Sequence, residues 1–134
     1  MLSNFETIHL IQVFIASVLG FLVGSERALH NKHASIRTFS LVCVAACMFT
    51  IASEFTGEPA RITAQVVSGI GFIGAGIIFK GQGKPAGVTT AAMLWFVGAL
   101  GILCGLGEIL FGVSCFLVYI FILTMGHFLR KKLS

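Results

Sequence analysis

Charged side chains are scarce in this 134-residue chain, since they make up only 10% of it and aspartate is absent. A soluble domain carries roughly 25% charged residues. Hydrophobic residues reach 57%, and a water-soluble fold of this size has too little interior to hide so much apolar surface. The composition therefore predicts a protein whose solvent is the lipid bilayer.

The shortage of charge also argues against several functions. The net charge of +4 is divided among short segments between apolar runs, whereas nucleic-acid binding needs a basic face. A catalytic site needs a nucleophile beside a base or a pair of acids, and a magnesium site needs carboxylates and other oxygen ligands. The apolar runs offer neither, so we expect no enzyme, no nucleic-acid partner, no metal and no cofactor.

Motifs that would indicate site chemistry are incomplete. The spelling G-x-G-x-x-G occurs at residues 69–74, but no strand precedes it and no acid follows about 20 residues later, so no dinucleotide site is predicted. His30 and His33 lie beside Lys32, where a solvated loop is favoured over a pair of metal ligands. The cysteines lie inside apolar runs without C-x-x-C spacing, which favours small apolar filler over a disulfide or metal site; they are Cys43, Cys47, Cys104 and Cys115.

Five apolar runs predict an all-α fold, a polytopic bundle of transmembrane helices forming one domain. Each run has about 16 to 20 residues, which is short but sufficient for a hydrocarbon core about 30 Å thick. The predicted spans cover about residues 8–24, 38–53, 62–79, 88–105 and 109–128.

The basic residues predict the sidedness of these spans. With five crossings, eight of the nine Lys and Arg residues share one side, and only Arg61 lies on the other. Positive charge marks the cytoplasmic side, so we expect the N-terminus outside and the C-terminus in the cytoplasm. No Lys or Arg precedes Arg27, so the first span lacks the basic region of a signal peptide and is expected to be retained.

Small residues recur at helical spacing within three spans, which is typical of close helix packing in lipid, inside one subunit or between subunits. The glycine load of the third span leaves an alternative open, a substrate path through a broken helix. The fifth span has few small residues, so we expect it to face lipid. The predicted packing residues are Gly20, Gly24, Ala64, Ser68, Gly71, Ala75, Gly98, Gly101 and Gly105.

Polar residues at the span ends have two interpretations. A carboxylate at the inner end of the first span would be stabilised by an arginine, and we predict that Glu26 pairs with Arg37; independent solvated charges are the alternative. Ordinary helix starts account for Arg61, Gln65, Thr89 and Thr90 without a functional role.

Three sequence blocks carry a family resemblance. They are G-S-E-R at residues 24–27 with A-S-I-R-T at 34–38, P-A-R-I-T-A-Q-V-V-S-G-I-G-F-I-G-A-G at 59–76, and G-V-T-T-A-A-M-L-W at 87–95. In order and spacing the chain resembles the MgtC/SapB family from the first span into the fourth. Phe39 and Gly81 depart from the pattern of many members. Many members also add a soluble C-terminal domain, so the resemblance is expected to cover the membrane domain only.

The resemblance implies a multi-pass bacterial inner-membrane protein, linked to growth in low magnesium and to survival in host cells or under acid stress. For some members it also implies contact with F-type ATP synthase. It would place functional weight on Glu26, Arg27, Arg37, Thr38, Arg61, Gln65, Thr89 and Thr90.

Three functions remain open at this point. The first is a non-enzymatic regulator that docks on other membrane proteins, F-type ATP synthase among them. The second is a small transporter or channel for Mg²⁺, H⁺ or another solute through the third and fourth spans. The third is a homo-oligomeric scaffold.

Overall fold

The computed structural model describes residues 4–29, 36–80 and 87–133, and every regular element in these ranges is an α-helix. Five helices are present, which confirms the predicted all-α fold. By length and composition all five can cross a membrane. In chain order they are α1 (Asn4–Leu29), α2 (Ile36–Glu54), α3 (Pro59–Phe79), α4 (Val88–Gly105) and α5 (Ile109–Leu133).

Two helices extend well beyond the predicted spans. The first apolar run covers residues 8–24, whereas α1 has 26 residues, and α5 continues through Arg130, Lys131 and Lys132. Charged side chains at a membrane surface can remain helical, because their long stems let the charged groups reach water. A charge therefore marks the edge of the hydrocarbon layer better than it marks the end of a helix.

The turns between α2, α3, α4 and α5 use glycine in the left-handed region of backbone space. Gly57, Gly87 and Gly107 have φ values of 72°, 78° and 80°, a conformation that residues with a Cβ adopt at a cost. A proline occupies the first turn of α3, where its missing N–H removes no helical hydrogen bond. In the described connections, α2 is joined to α3 and α4 to α5 by turns of a few residues, each containing one of these glycines.

The fourth helix is the centre of the bundle, since α4 contacts all four other helices. Leu94, Val97 and Leu100 of α4 are fully buried. They meet Val23 of α1 and Phe39 of α2 in one apolar core. In contrast, α5 touches mainly α4, and α3 touches α4 and α2.

Glycines bring α1 and α4 into backbone contact with α2. A methyl group added at Gly20 would lie 2.8 Å from the Cα of Ser40, and one at Gly24 would lie 2.8 Å from the Cα of Ile36. On α4, a methyl group at Gly101 would overlap the carbonyl oxygen of Cys43. In lipid no water is expelled from between helices, so such close approach is a main source of association.

The small residues of α3 have a different environment. Ala64, Ser68 and Gly71 are exposed and Ala75 is half-buried. A methyl group at Gly71 would meet nothing within 4 Å. This face of α3 therefore points away from the rest of the bundle. The opposite face of α3 contacts the bundle, because the side chain of Ile70 occupies the space that a Cβ at Gly98 of α4 would fill.

Candidate functional site

An ion pair lies at the end of the bundle where α1 finishes. The guanidinium of Arg27 donates from Nε to Glu26 Oε2 at 2.7 Å and from Nη2 to Glu26 Oε1 at 2.8 Å. The two side chains keep 10% and 24% of their exposure. A bidentate pair of this kind is strong and directional, and its partial burial makes it the principal charged feature inside the bundle.

The structure places Glu26 on Arg27 rather than on Arg37, so the predicted pair between α1 and α2 is replaced by a pair within α1. Arg37 is exposed at the start of α2, and within the described ranges it forms no ion pair. Adjacent residues on a helix diverge by about 100°, but the long arginine side chain folds back onto its neighbour. Sequence spacing gave no reason to expect this arrangement.

Tyr119 packs against aromatic side chains of α4 and α5. Tyr119 of α5 is buried and close enough to interact electrostatically with both Glu26 and Arg27. Its ring stacks on Phe96 at a centroid distance of 4.9 Å and lies 6.0 Å from Phe116. Its hydroxyl lies 3.9 Å from the sulfur of Met93. Tyr119 therefore lies in a mainly apolar cluster of α4 and α5 residues.

The other candidates are distributed over both ends of the bundle. Thr90 is buried at the start of α4, whereas Thr89 is exposed, and Thr38 is half-buried on α2. Arg61 pairs with Glu58 at the opposite end, where both side chains are more than half exposed. The structure thus brings together Glu26 and Arg27 and places Arg61 and Gln65 away from them.

Gln65 and Ser68 lie on the outward face of α3. Both are exposed, and neither side chain forms a hydrogen bond within the described part of the chain. Other serines behave differently, because Ser17, Ser40 and Ser114 each donate to a carbonyl three or four residues earlier. We define the outward face of α3 by Ala64, Gln65, Ser68, Gly69, Phe72 and Gly76, all of which are exposed.

A second polar cluster lies at the end of the bundle where α1 begins, and the sequence analysis missed it. His9 Nδ1 is 2.7 Å from Gln12 Oε1, and Gln12 Nε2 donates to the carbonyl oxygen of Gly105 at 3.4 Å. The three-residue spacing of His9 and Gln12 inside an apolar run was the available signal. Gln12 is 6% exposed, so this bond connects α1 to the end of α4 inside the bundle.

The cysteines carry no bond to one another. Cys43, Cys47 and Cys104 are buried, Cys115 is half-buried, and all four are free thiols. Among the described residues no group of three or more His, Cys or acidic side chains has a metal-binding arrangement. The predicted loop histidines His30 and His33 lie outside the described residues.

Five apolar helices around a glycine-packed centre define a multi-pass membrane protein. A model of the MgtC family matches residues 13–132. The chain belongs to the MgtC family, as the three sequence blocks predicted.

Curated relatives cover the same region. Protein MgtC of Salmonella typhimurium (strain 14028s / SGSC 2262) is 42% identical over 102 residues, which are 75% of this chain and 44% of that protein. Protein MgtC of Brucella abortus (strain 2308) is 47% identical over 97 residues, which are 70% of this chain and 41% of that protein. The chain spans less than half the length of these relatives. No solved structure shows a significant match.

Proposed function

We propose that this chain is a non-enzymatic protein of the bacterial inner membrane that regulates another membrane protein by docking on it through the outward face of α3. The family resemblance supports a role in adaptation to magnesium limitation or acid stress, with F-type ATP synthase as the first partner to test. The observation that carries the docking mechanism is the exposed amide of Gln65.

The exposed amide of Gln65 has no hydrogen-bond partner among the described residues. Gln65 is the seventh residue of α3, about 9 Å along the axis from its start. An amide without a hydrogen bond in an apolar environment costs roughly 2–7 kcal/mol. A helix of another protein that offers a donor or acceptor removes this cost. The docking hypothesis therefore explains why Gln65 points outward.

The residues around Gln65 suit a helix–helix contact. Gly69 and Gly76 have open space where a Cβ would be, and Ala64 and Ser68 are small. Small residues allow two backbones to approach, and polar residues add interhelical hydrogen bonds. Inside this chain, glycines of α1 and α4 already allow close backbone contact with α2. A partner helix can approach the small residues of α3 in the same way.

Transport through α3 and α4 is the alternative. The cleft between these helices is lined by apolar groups, namely Val67, Ile70, Trp95, Gly98, Ala99 and Ile102. Ions and protons need polar or charged groups along their path. The apolar lining of the cleft between α3 and α4 therefore favours docking over transport through this cleft.

Replacing Gln65 with leucine tests the docking mechanism. We expect Gln65→Leu to lower recovery of an ATP synthase subunit with the tagged chain by about three- to tenfold, since one interhelical hydrogen bond contributes about 0.6–1.4 kcal/mol. The measurement is quantitative co-purification from bacterial membranes after cross-linking. Thr124→Val is the matched control, because Thr124 is exposed on α5 and its hydroxyl bonds back to its own helix.

Two outcomes would contradict the proposal. If Gln65→Leu and wild type recovered the subunit equally, α3 would be excluded as the docking face. If only a second copy of the chain were recovered, a homo-oligomeric scaffold would be favoured. Flux of Mg²⁺ or protons in liposomes of the purified protein, lost on substitution of Arg61 or Thr89, would favour the transport alternative.

A further inference from the structure

The polar cluster formed by His9, Gln12 and the carbonyl of Gly105 carries an inference that goes beyond the proposed function. His9 lies between two aromatic rings, with Phe5 at a centroid distance of 4.3 Å and Phe55 at 6.4 Å. Phe5 and Phe55 also touch each other at 5.8 Å. Since Phe5 belongs to α1 and Phe55 follows α2, these rings link the start of α1 to the end of α2.

The direction of the hydrogen bonds fixes the tautomer of His9. The carbonyl oxygen of Gly105 can only accept, so the amide nitrogen of Gln12 must face it. The amide oxygen of Gln12 then faces Nδ1 of His9, and a neutral imidazole must donate from Nδ1. The proton of neutral His9 is therefore on Nδ1, which leaves a lone pair on Nε2.

This lone pair is enclosed without a partner. Nε2 of His9 is buried and forms no hydrogen bond. Among the side-chain nitrogen and oxygen atoms of the described residues, it is the one that is buried without a hydrogen-bond partner. A buried polar atom without a partner is unfavourable and calls for a cause. An imidazole nitrogen that carries a lone pair can accept a proton.

We propose that Nε2 of His9 is a proton-binding site and that the Phe5–Phe55 contact is a cover that opens when the proton binds. A proton from the aqueous phase bonds to the Nε2 lone pair, and neutral imidazole becomes imidazolium. The Nδ1–H bond to Gln12 is retained, so α1 remains joined to α4. The new positive charge is unfavourable at the buried Nε2 atom. Separation of Phe5 from Phe55, whose side chains are themselves more than half exposed, brings it to water.

The charged groups at this end of the bundle favour the opened state. The elements next to His9 carry Glu6 on α1, Glu54 at the end of α2 and Glu108 in the turn after α4. Glu58 and Arg61 neutralise each other at the start of α3. Three acidic side chains therefore add negative charge to this end of the bundle, which favours an exposed imidazolium. The cover is closed at high pH and open at low pH.

Two measurements on the full chain in lipid nanodiscs test this inference. The first is the ¹⁵N spectrum of the histidine rings, in which His9 is assigned by its loss in His9→Gln. At high pH we expect the Nδ1–H tautomer for His9. His127 of α5 is the control, because its ring is exposed and no hydrogen bond from the described residues selects one tautomer. The Nε2–H tautomer at His9 would overturn the proposal.

The second measurement follows the cover itself. Spin labels at Asn4→Cys and Ala52→Cys, both exposed positions, report the separation of α1 from α2. We expect loss of the short-distance population when the pH falls, and no such loss in His9→Gln. A pH response that is unchanged in His9→Gln, or no response in the wild type, would overturn the proposal. Neither result bears on docking through α3, so the two proposals fail separately.

Discussion

Replacing Gly101 with alanine is expected to separate α4 from α2 and to lower the stability of the bundle more than a methyl group at any other described glycine. The added Cβ would overlap the carbonyl oxygen of Cys43 and lie 2.8 Å from the Cβ of Ala46. A backbone carbonyl cannot move without displacing its whole helix. Overpacking of a tight core typically costs about 1–3 kcal/mol, and we expect Gly101→Ala at or above the top of that range.

The measurement is the thermal loss of the monodisperse peak of detergent-purified protein on size exclusion. Gly126→Ala is the matched control, because Gly126 lies in α5 and a methyl group there meets nothing within 4 Å. We expect the control to keep the wild-type midpoint. Equal midpoints for the two variants would contradict the close contact of α2 with α4.

The second large effect is expected at the ion pair of α1. Arg27→Met removes two charge-assisted hydrogen bonds from a carboxylate that keeps only 24% of its exposure. Removing one partner of a buried pair costs about 3–5 kcal/mol, and the partial exposure of Glu26 places the expected loss near the lower value. The same thermal assay measures this loss.

Two further variants separate charge from packing at this pair. Glu26→Gln combined with Arg27→Met leaves no charge behind, so we expect the double variant to regain much of the lost stability. Arg61→Met is the control, since the Glu58–Arg61 pair is exposed and exposed pairs contribute about 0–1 kcal/mol. If Arg27→Met were as mild as Arg61→Met, the pair would have no structural role.

The number of helices could be predicted from the sequence because each apolar run is continuous and long enough to cross a bilayer. The helix ends could not, since α1 and α5 continue through polar and charged residues beyond the apolar runs. The ion-pair partner of Glu26 also could not be predicted from the sequence. Its choice between Arg27 and Arg37 depends on side-chain direction, and both arginines stand at the inner ends of predicted spans.

The candidate site shows the same division. Glycine spacing indicated close packing, but it could not distinguish Gly101, which meets a backbone carbonyl, from Gly71, which faces open space. His9 and Gln12 were missed because two polar residues in an apolar run give no indication of the carbonyl of Gly105, 93 residues away from Gln12. Tyr119 was missed for a similar reason, since its ring stacks on Phe96 and its hydroxyl lies near Met93, both on α4.

The sidedness of the five helices remains a prediction, and the regulatory account depends on it. Membrane-impermeant maleimide labelling of intact cells tests it most directly, with single cysteines at Glu58 and Lys131 and the wild type as background for the native thiols. We predict that the cysteine at position 58, in the turn before α3, is labelled and that the one at position 131, near the end of α5, is protected until the cells are lysed. Labelling of both positions, or protection of both, in intact cells would contradict an odd number of crossings.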